Sequence, residues 1–201
     1  KKNIKKFIKN KIKNNYLKSS NNIDNLSFIY LLMKKFKIAD KFFFSSLKKF
    51  TGLPHRQEVF LKKNKISFIN DSKATSFEAS KSCLTNYKNI IWILGGLKKD
   101  GDRFFLNRIK KNIIKAFIIG KDRSFFKKQL RGKIDYKETL NLKNTVKHIY
   151  QELKFISLQK KKERIFVIFS PASASYDQFN NFEERGNQFK KLTINYARKH
   201  F

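Results

Sequence analysis

The sequence predicts an α/β fold in which a mostly parallel sheet is covered by helices. Short runs such as Ile90–Leu94 and Ile165–Phe169 are apolar throughout, which is typical of strands that are buried on both sides. These runs alternate with stretches of helical periodicity, and that order indicates parallel strands joined by helices. Before residue 51 the pattern differs, because two predicted helices follow each other with no strand between them.

The first part of the chain is therefore predicted to be helical. Apolar residues recur at intervals of three and four in residues 22–36, and a shorter stripe of the same kind lies in residues 40–50. Residues 1–18 allow two interpretations, a basic helix suited to a membrane surface or the edge of a truncated domain, and we favour the second. The apolar residues of that candidate helix are Ile4, Phe7, Ile8 and Ile12.

A short linker separates this helical part from the rest. Gly52 breaks the preceding helix, and Pro54 biases Leu53 towards extended geometry. We therefore divide the chain into residues 1–50 and 51–201.

In the second part, two strands are followed by alternating helices and strands. The predicted strands are residues 58–61, 66–69, 90–94, 116–119, a short segment near Ile134, and 165–169. The predicted helices are residues 77–86, 104–112, 122–130, 141–158 and 182–199. Three loops that follow strands, residues 70–75, 95–102 and 170–179, contain unusual residues. Since parallel strands end at the same edge of a sheet, we expect these loops to meet there.

The net charge of +32 is typical of proteins that bind nucleic acid, so a basic binding module without enzymatic activity is one alternative. However, the excess is mostly Lys, is spread along the chain, and accompanies frequent Asn, Ile and Phe. All four residue types have A/T-rich codons, so a biased genome explains the composition without a nucleic-acid partner. We therefore expect no nucleic-acid partner.

Other sequence features restrict the compartment and the cofactors. Cys83 is the only cysteine, which excludes a disulfide framework and is consistent with a reducing cytoplasm. We find no apolar run long enough to cross a bilayer and no signal-peptide pattern, so we expect no membrane partner. The spacing of the three His residues indicates no metal held by this chain alone.

The loop at residues 70–75 is the strongest candidate for a ligand site. It follows a strand and precedes a helix, whose free N–H groups and dipole favour an anion. Lys73 would add positive charge, and Asp71 could accept hydrogen bonds from ribose hydroxyls. The alternative is a capped helix start, with Asp71 or Ser72 as the N-cap and Lys73 solvated.

The other unusual stretches also allow two interpretations each. The loop after Gly95 and Gly96 lacks the spacing of a phosphate-binding loop, so it is either a tight turn or a close backbone approach with a Lys for an anion. The small residues 172–175 could cradle a ligand or begin a helix packed on the sheet. His55 and Arg56 could point at a ligand or lie in an exposed loop.

Four segments in order resemble the Mur ligase family, from about Asn21 to the C-terminus. They are GLPHR at Gly52–Arg56, FINDSKAT at Phe68–Thr75, ILGGLKKDGD at Ile93–Asp102 and SPASASYDQFNNFEERG at Ser170–Gly186. The family has three domains. The resemblance implies that residues 1–50 are a helical remnant of the central ATPase domain and that residues 51–201 are the Rossmann-like, glutamate-binding C-terminal domain.

The resemblance also implies a reaction in peptidoglycan synthesis. ATP phosphorylates the carboxyl group of UDP-N-acetylmuramoyl-L-alanine, and the amine of D-glutamate attacks the acyl phosphate. In the family, the phosphate loop, a carbamylated lysine and the Mg²⁺ ligands would lie before Lys1. We therefore expect a fragment that is inactive alone and needs the missing N-terminal and central domains, within a cytoplasmic enzyme that is a monomer when complete.

Site residues follow from the matched segments. Asn22 and Asn25 resemble an adenine-contacting segment in which Asn21 replaces the usual His. The resemblance places Asp71 at the ribose and Arg56 and Lys73, as catalytic residues, at the phosphates or the acyl phosphate. The residues expected around D-glutamate are Thr75, Lys99, Ser175, Tyr176 and Phe182, with Tyr176 acting mainly through its backbone.

Overall fold

The computed structural model describes residues 2–13, 16–18, 20–159 and 163–200. The chain divides into two compact units, Lys1–Gly52 and Leu53–Phe201. In the part of the chain that the structure describes, no helix is both long and apolar enough to span a membrane.

The first unit is helical. It contains α1 (Lys2–Lys11), a 3₁₀ turn (Tyr16–Lys18), α2 (Ser20–Lys35) and α3 (Asp40–Lys49). The predicted helices at residues 22–36 and 40–50 are thus confirmed to within two residues. The core of this unit is formed by Ile8, Ile12, Leu17, Ile23, Leu26, Tyr30 and Phe43.

The beginning of the chain, for which we favoured the edge of a truncated domain, forms helix α1, and its origin as a truncated domain stays a prediction. Helix α1 is stable because its apolar side chains pack against other apolar side chains of the same unit. Ile8 is fully buried and Ile12 is 5% exposed, and both pack with Ile23 and Leu26 of α2. The basic helix that we considered as an alternative is therefore formed, with its apolar face in a protein core.

The second unit is a six-stranded sheet in the order β1-β2-β6-β3-β4-β5. Its strands are β1 (Glu58–Lys63), β2 (Ile66–Asn70), β3 (Ile90–Gly95), β4 (Ile113–Ile119), β5 (Tyr136–Glu138) and β6 (Ile165–Phe169). Its helices are α4 (Phe77–Thr85), α5 (Arg123–Leu130), α6 (Leu142–Gln159) and α7 (Phe182–His200). Among the described strands, β1 and β2 pair antiparallel and the other neighbouring pairs are parallel, so the predicted α/β fold with a mostly parallel sheet is confirmed.

Both faces of the sheet are covered. Ile91 and Ile93 of β3 pack with α6 and α7, whereas Trp92 of the same strand packs with α4 and α5. Because successive strand residues point to opposite faces, an apolar run buries one core on each side. Each fully buried large apolar side chain contributes roughly 1.5–3 kcal/mol to folding.

One predicted element of this unit is wrong, and another is displaced along the chain. Residues 104–112 form two 3₁₀ turns, Leu106–Arg108 and Lys110–Asn112, instead of one α-helix. Phe104, Leu106 and Ile109 are all buried in one core, and their spacing does not fit a single α-helical face.

The short strand predicted near Ile134 is present, but it is displaced by two residues. The strand, β5, instead begins at Tyr136, and Ile134 precedes it as a core residue. An edge strand of three residues that is largely exposed has little apolar pattern to locate it.

Candidate ligand site at the carboxyl edge of the sheet

The three predicted loops meet at one edge of the sheet. They follow β2, β6 and β3, which are neighbours in the sheet. The Ser170 N–H donates to the Ile93 carbonyl at 3.2 Å, and the Gly95 N–H donates to the Pro171 carbonyl at 2.9 Å. The Asp71 N–H donates to the Phe169 carbonyl at 2.7 Å. The expected convergence of these loops is confirmed by bonds between their backbones.

The loops after β3 and β6 are also paired with each other. Leu97 and Ala174 exchange two backbone hydrogen bonds, each of 3.1 Å. Gly96 has a φ of +141°, and a Cβ there would overlap the Ala174 carbonyl and lie 2.6 Å from Ser173 Oγ. The close backbone approach predicted for the Gly-Gly loop is therefore real, but the group that approaches is another loop of this chain.

The small residues 172–175 connect neighbouring loops. We had interpreted them as a ligand cradle or as the beginning of a helix, and neither interpretation included this role. They lie between β6 and α7, so they do not begin a helix. Ser173 Oγ donates to the Gly95 carbonyl at 2.6 Å, and the Ser175 carbonyl accepts from the N–H of Phe179 at 3.0 Å. The Ser173 bond joins the loop after β6 to the end of β3, so the hydroxyl proton of Ser173 is not free for a ligand.

The capping interpretation of Asp71 and Ser72 is wrong. Helix α4 begins at Phe77, and its N-cap is Ser76, whose hydroxyl accepts from the Ala79 N–H. The Phe77 N–H donates to Asp102 Oδ2 at 2.7 Å. Side chains therefore already satisfy two of the first-turn donors, and this helix start is a poorer anion site than the sequence indicated.

Asp71 is buried, with 5% of its surface exposed. Its carboxyl accepts from the Gln57 N–H at 3.1 Å and from Ser170 Oγ at 2.7 Å. Burial raises its pKa to about 7, against the opposing effect of these hydrogen bonds and of the Arg56 charge. A carboxylate has about four acceptor positions, so the ionised form could still accept a hydrogen bond from a ligand hydroxyl.

His55 is part of a buried polar cluster that sequence reasoning missed. His55 is 6% exposed, so its interpretation as an exposed loop residue is wrong. Asn70 Nδ2 lies 2.9 Å from His55 Nδ1 and 3.1 Å from Glu58 Oε2. Glu58 Oε1 in turn pairs with Lys190 Nζ at 2.8 Å. Burial, together with the charge of Lys190, lowers the pKa of His55 and favours its neutral form.

Gly186 explains how α7 can lie against this cluster. A Cβ at this position would overlap His55 Nδ1 and would lie 3.0 Å from both side-chain polar atoms of Asn70. The sequence showed Gly186 beside an unusual stretch, but it did not show which side chain needs the space.

Arg185 was also missed, and it connects two of the loops. It is 1% exposed, and its Nη2 donates to the Ser72 carbonyl at 2.8 Å and to the Ser173 carbonyl at 3.0 Å. Its Nε donates to Ser72 Oγ at 3.1 Å, and Ser72 Oγ donates to the Phe182 carbonyl at 2.8 Å. Burial lowers the pKa of Arg185 to about 10, so its guanidinium stays charged at neutral pH. The only sequence signal was an Arg in a chain whose basic residues are mostly Lys.

The remaining predicted site residues lie outside this buried group. Lys73 is exposed, and its Nζ lies 4.9 Å from the ring centroid of Phe182, which is half-buried. Ser175 is buried with 3% exposure. Within the second unit, the predicted site residues that are exposed are Arg56, Lys73, Thr75, Lys99 and Tyr176.

Asn22 and Asn25 lie on α2 in the first unit, where Asn25 is exposed. Their contact with adenine stays a prediction. Among the residues that the structure describes, no group of three His, Cys, Asp or Glu side chains could hold a metal ion.

The similarity to known proteins agrees with this architecture. No protein-family model matches the chain. Among solved structures, MurF from Acinetobacter baumannii has a TM-score of 0.58 and 11% identity, covering 87% of this chain and 38% of that chain. At this identity the likeness shows the fold alone, and the fold is that of part of a Mur ligase.

Sequence similarity to curated proteins is more specific than the structural similarity. The chain is 36% identical over 173 residues to the UDP-N-acetylmuramoylalanine–D-glutamate ligase of Wolbachia sp. subsp. Brugia malayi (strain TRS), covering 86% of this chain and 34% of that protein. It is 35% identical over 173 residues to the protein of the same name from Bartonella henselae, covering 86% of this chain and 36% of that protein. The resemblance indicated by the four segments is thus confirmed, and the chain spans about a third of the length of the curated relatives it matches.

Proposed function

We propose that this chain supplies the C-terminal, D-glutamate-binding part of an ATP-dependent ligase that joins D-glutamate to UDP-N-acetylmuramoyl-L-alanine. The observation that carries the proposal is the edge of the sheet, where three hydrogen-bonded loops present exposed cations beside a buried carboxyl group. The names of the relatives support the ligase class, and they lend no support to the nucleic-acid alternative.

The D-glutamate site would be an anion clamp built from separate loops. D-glutamate has two carboxylates, which need charged or hydrogen-bonding donors when they are removed from water. Lys99 would supply a charge, and Thr75 and Ser175 would supply hydroxyl groups. Phe182 would cover the aliphatic part, and the backbone of Tyr176 would complete the site.

The nucleotide would bind next to this clamp. Asp71 would accept from the ribose, and Arg56 and Lys73 would face the phosphates. The 4.9 Å approach of Lys73 to Phe182 supports placing the acyl phosphate beside the amine of D-glutamate. When that amine attacks the acyl carbon, the C–N bond would form, the C–O bond to the phosphate would break, and the nitrogen would lose a proton to solvent. The two cations would stabilise the charge of the departing phosphate.

The other parts of the reaction would come from the remaining two-thirds of the enzyme. ATP supplies the phosphoryl group, and Mg²⁺ would neutralise charge on its phosphates. Following the family resemblance, we assign the metal ligands and the phosphate-binding loop to that remaining part. The complete enzyme would be a cytoplasmic monomer.

The test is a chimaera in which this chain replaces the homologous C-terminal third of the Wolbachia ligase. We expect D-glutamate-dependent release of phosphate from ATP by the chimaera, and no turnover by the purified chain alone. A chimaera that folds and binds ATP but ignores D-glutamate would contradict the proposed substrate. Turnover by the isolated chain would contradict the assignment of the phosphate cradle to the missing part.

A further inference from the structure

A fourth loop lies at the carboxyl edge of the sheet, and the sequence predicts no site residue in it. It follows β4, the neighbour of β3, and comprises residues 120–122. The Asp122 N–H donates to the Gly96 carbonyl at 3.2 Å. Gly120 has a φ of +82°, and a Cβ there would lie 2.5 Å from Gly96 Cα. The backbone of this fourth loop is therefore packed directly against the loop that carries Lys99.

The carboxylate of Asp122 binds a neighbouring loop instead of its own helix. Asp122 is the N-cap residue of α5, and Asp is one of the residues that cap helices best. Its side chain nevertheless makes no capping bond to α5, and its Oδ2 accepts from the Lys98 N–H at 2.9 Å. Because Lys98 directly precedes Lys99, this charge-assisted bond fixes the backbone from which the Lys99 side chain extends.

Asp177 connects the fourth loop to the loop after β6. Its Oδ2 accepts from the Lys121 N–H at 2.8 Å. A Cβ at Gly120 would lie 2.6 Å from the same carboxylate oxygen, so a glycine is needed to give the carboxylate room. Asp177 directly follows Ser175 and Tyr176 in the chain. The fourth loop is thus bonded to two of the loops that form the proposed D-glutamate site.

The same kind of bond joins all four loops at this edge of the sheet. Each loop contributes one aspartate that accepts a hydrogen bond from a different connection of the sheet. The pairs are Asp71 with Ser170 Oγ, Asp102 with the Phe77 N–H, Asp122 with the Lys98 N–H, and Asp177 with the Lys121 N–H. Acidic residues are scarce in this chain, 15 against 47 basic ones, so abundance does not explain their concentration here. Negative charges also weaken the binding of an anion nearby, so these carboxylates need another role, and fixing the loops supplies one.

We infer that Asp122 is a positioning residue of the D-glutamate site, an inference that rests on the proposed function. Asp122 acts through the Lys98 backbone, which it holds so that Lys99 reaches a carboxylate of D-glutamate. Asp177 acts in the same way on its own loop, through the Lys121 backbone. Neither aspartate touches the substrate. Their effect is geometric, and a displacement of about 1 Å is enough to weaken such a contact substantially.

The test uses the chimaera in which this chain replaces the C-terminal third of the Wolbachia ligase. In Asp122→Ala the Lys98 N–H loses its acceptor, so the KM for D-glutamate should rise by about 3- to 10-fold. The KM for ATP, and kcat at saturating D-glutamate, should stay within about 2-fold of the parent, because the proposed nucleotide residues lie on other loops. Asp122→Asn keeps an oxygen acceptor for the Lys98 N–H, and it should restore the KM for D-glutamate to within about 2-fold of the parent.

Asp100→Ala is the matched control, because it removes one negative charge from the loop that carries Lys99. The Asp100 side chain is 97% exposed, and its carboxylate lies 3.8 Å from Lys98 Nζ. Among the described residues, it accepts no backbone N–H. If charge alone mattered, both alanine variants would lower the KM for the anionic D-glutamate. Positioning predicts a raised KM for Asp122→Ala and an unchanged or lowered KM for Asp100→Ala.

Amide hydrogen exchange of the isolated chain measures the loop without any turnover. In Asp122→Ala the Lys98 amide should exchange about 5-fold faster or more, whereas the amides of β3 should not change. Asp122→Asn should exchange like the parent at Lys98. A chimaera that ignores D-glutamate would refute the ligase proposal, and the exchange rates would still decide whether Asp122 holds this loop.

Three results would overturn the inference. They are an unchanged exchange rate at Lys98, a KM for D-glutamate that does not rise in Asp122→Ala, and a raised KM that Asp122→Asn does not restore. A loss of stability and of kcat with an unchanged KM would assign Asp122 to the fold alone. If Asp122→Ala does not fold, Asp177→Ala and Asp177→Asn take its place, and the same pattern of KM values is expected.

Discussion

Two sets of polar residues at the carboxyl edge of the sheet differ in their burial and in their hydrogen-bond partners. The buried layer consists of His55, Asn70, Asp71, Ser72 and Arg185, each at most 6% exposed. The exposed rim consists of Arg56, Lys73, Thr75, Lys99 and Tyr176. Each residue of the buried layer bonds to another segment of the protein, although Arg185 Nη1 has no partner among the described residues, whereas the rim residues present their side chains to solvent.

The candidate site therefore combines buried polar residues, which stabilise the fold, with exposed residues, which are available to a ligand. A buried polar group that loses its partner costs the full desolvation of that group, so the buried layer must contribute to stability. An exposed cation has no such cost, so the rim can be kept for ligands without affecting the fold.

The largest effect is expected for Arg185→Leu. The substitution leaves the carbonyl groups of Ser72 and Ser173 without their donor in a buried site, and it should lower the free energy of unfolding by about 3–4 kcal/mol. Urea denaturation of the chain would measure it. The control is Arg198→Leu on the exposed side of the same helix, for which we expect less than about 0.5 kcal/mol. Equal losses for the two variants would refute the role of the buried layer.

Asp71→Asn should change how stability depends on pH. The carboxyl has an ordinary pKa of 3.8 and a pKa of about 7 when folded, so between these values the folded chain holds a proton that the unfolded chain has lost. Stability of the parent chain should therefore fall as pH rises from about 4 to 7 and level off above 7. The variant lacks this loss, so its stability relative to the parent should rise over that range by roughly 2–4 kcal/mol.

Thermal melts at several pH values between 4 and 8 would measure this difference. In the chimaera, the same variant should need more ATP at pH 8 while its stability is maintained. A pH-independent difference in stability, together with unchanged ATP dependence, would show that Asp71 serves the fold alone and stays ionised.

Gly186→Ala is expected to have an intermediate effect. The added methyl group overlaps His55 Nδ1, so the imidazole must move away from Asn70 or α7 must shift. Overpacking of this kind should cost about 1–3 kcal/mol. Asn187→Ala, one residue further along α7 and exposed, is the control and should have little effect on the unfolding midpoint. A stable Gly186→Ala variant would mean that the packing at His55 is looser than these contacts indicate.

The smallest effect on stability is expected for Lys99→Ala. Lys99 is exposed, so the unfolding curve of the chain should not change beyond about 0.5 kcal/mol. In the chimaera, the KM for D-glutamate should rise about 10-fold or more, before ATP binding is disturbed. Lys98→Ala, one residue earlier in the loop, is the matched control. If both variants change the KM for D-glutamate equally, the rim acts by general charge and the assignment of Lys99 is wrong.

Much of the fold was accessible from local patterns. The strand Ile165–Phe169 and the start of α7 at Phe182 were predicted correctly, because an apolar run followed by a polar loop and a periodic helix is a local signal. The meeting of the three loops could also be predicted, because parallel strands end at the same edge of a sheet. The 3₁₀ turns after Phe104 were missed, because core contacts decide their form.

Some site residues could likewise be identified from the sequence, whereas others became apparent only in the tertiary structure. By itself, the sequence determined the α/β class, the four segments that relate the chain to Mur ligases, and the loops that carry the exposed rim. The tertiary structure alone decided which polar residues are buried, as Arg185 reaches Ser72 across 113 positions of the chain. It also decided that Ser76 caps α4 and that the pKa of Asp71 is about 7. The physical reason is that desolvation and long-range hydrogen bonds depend on which chain segments meet, and residue type and spacing do not specify that.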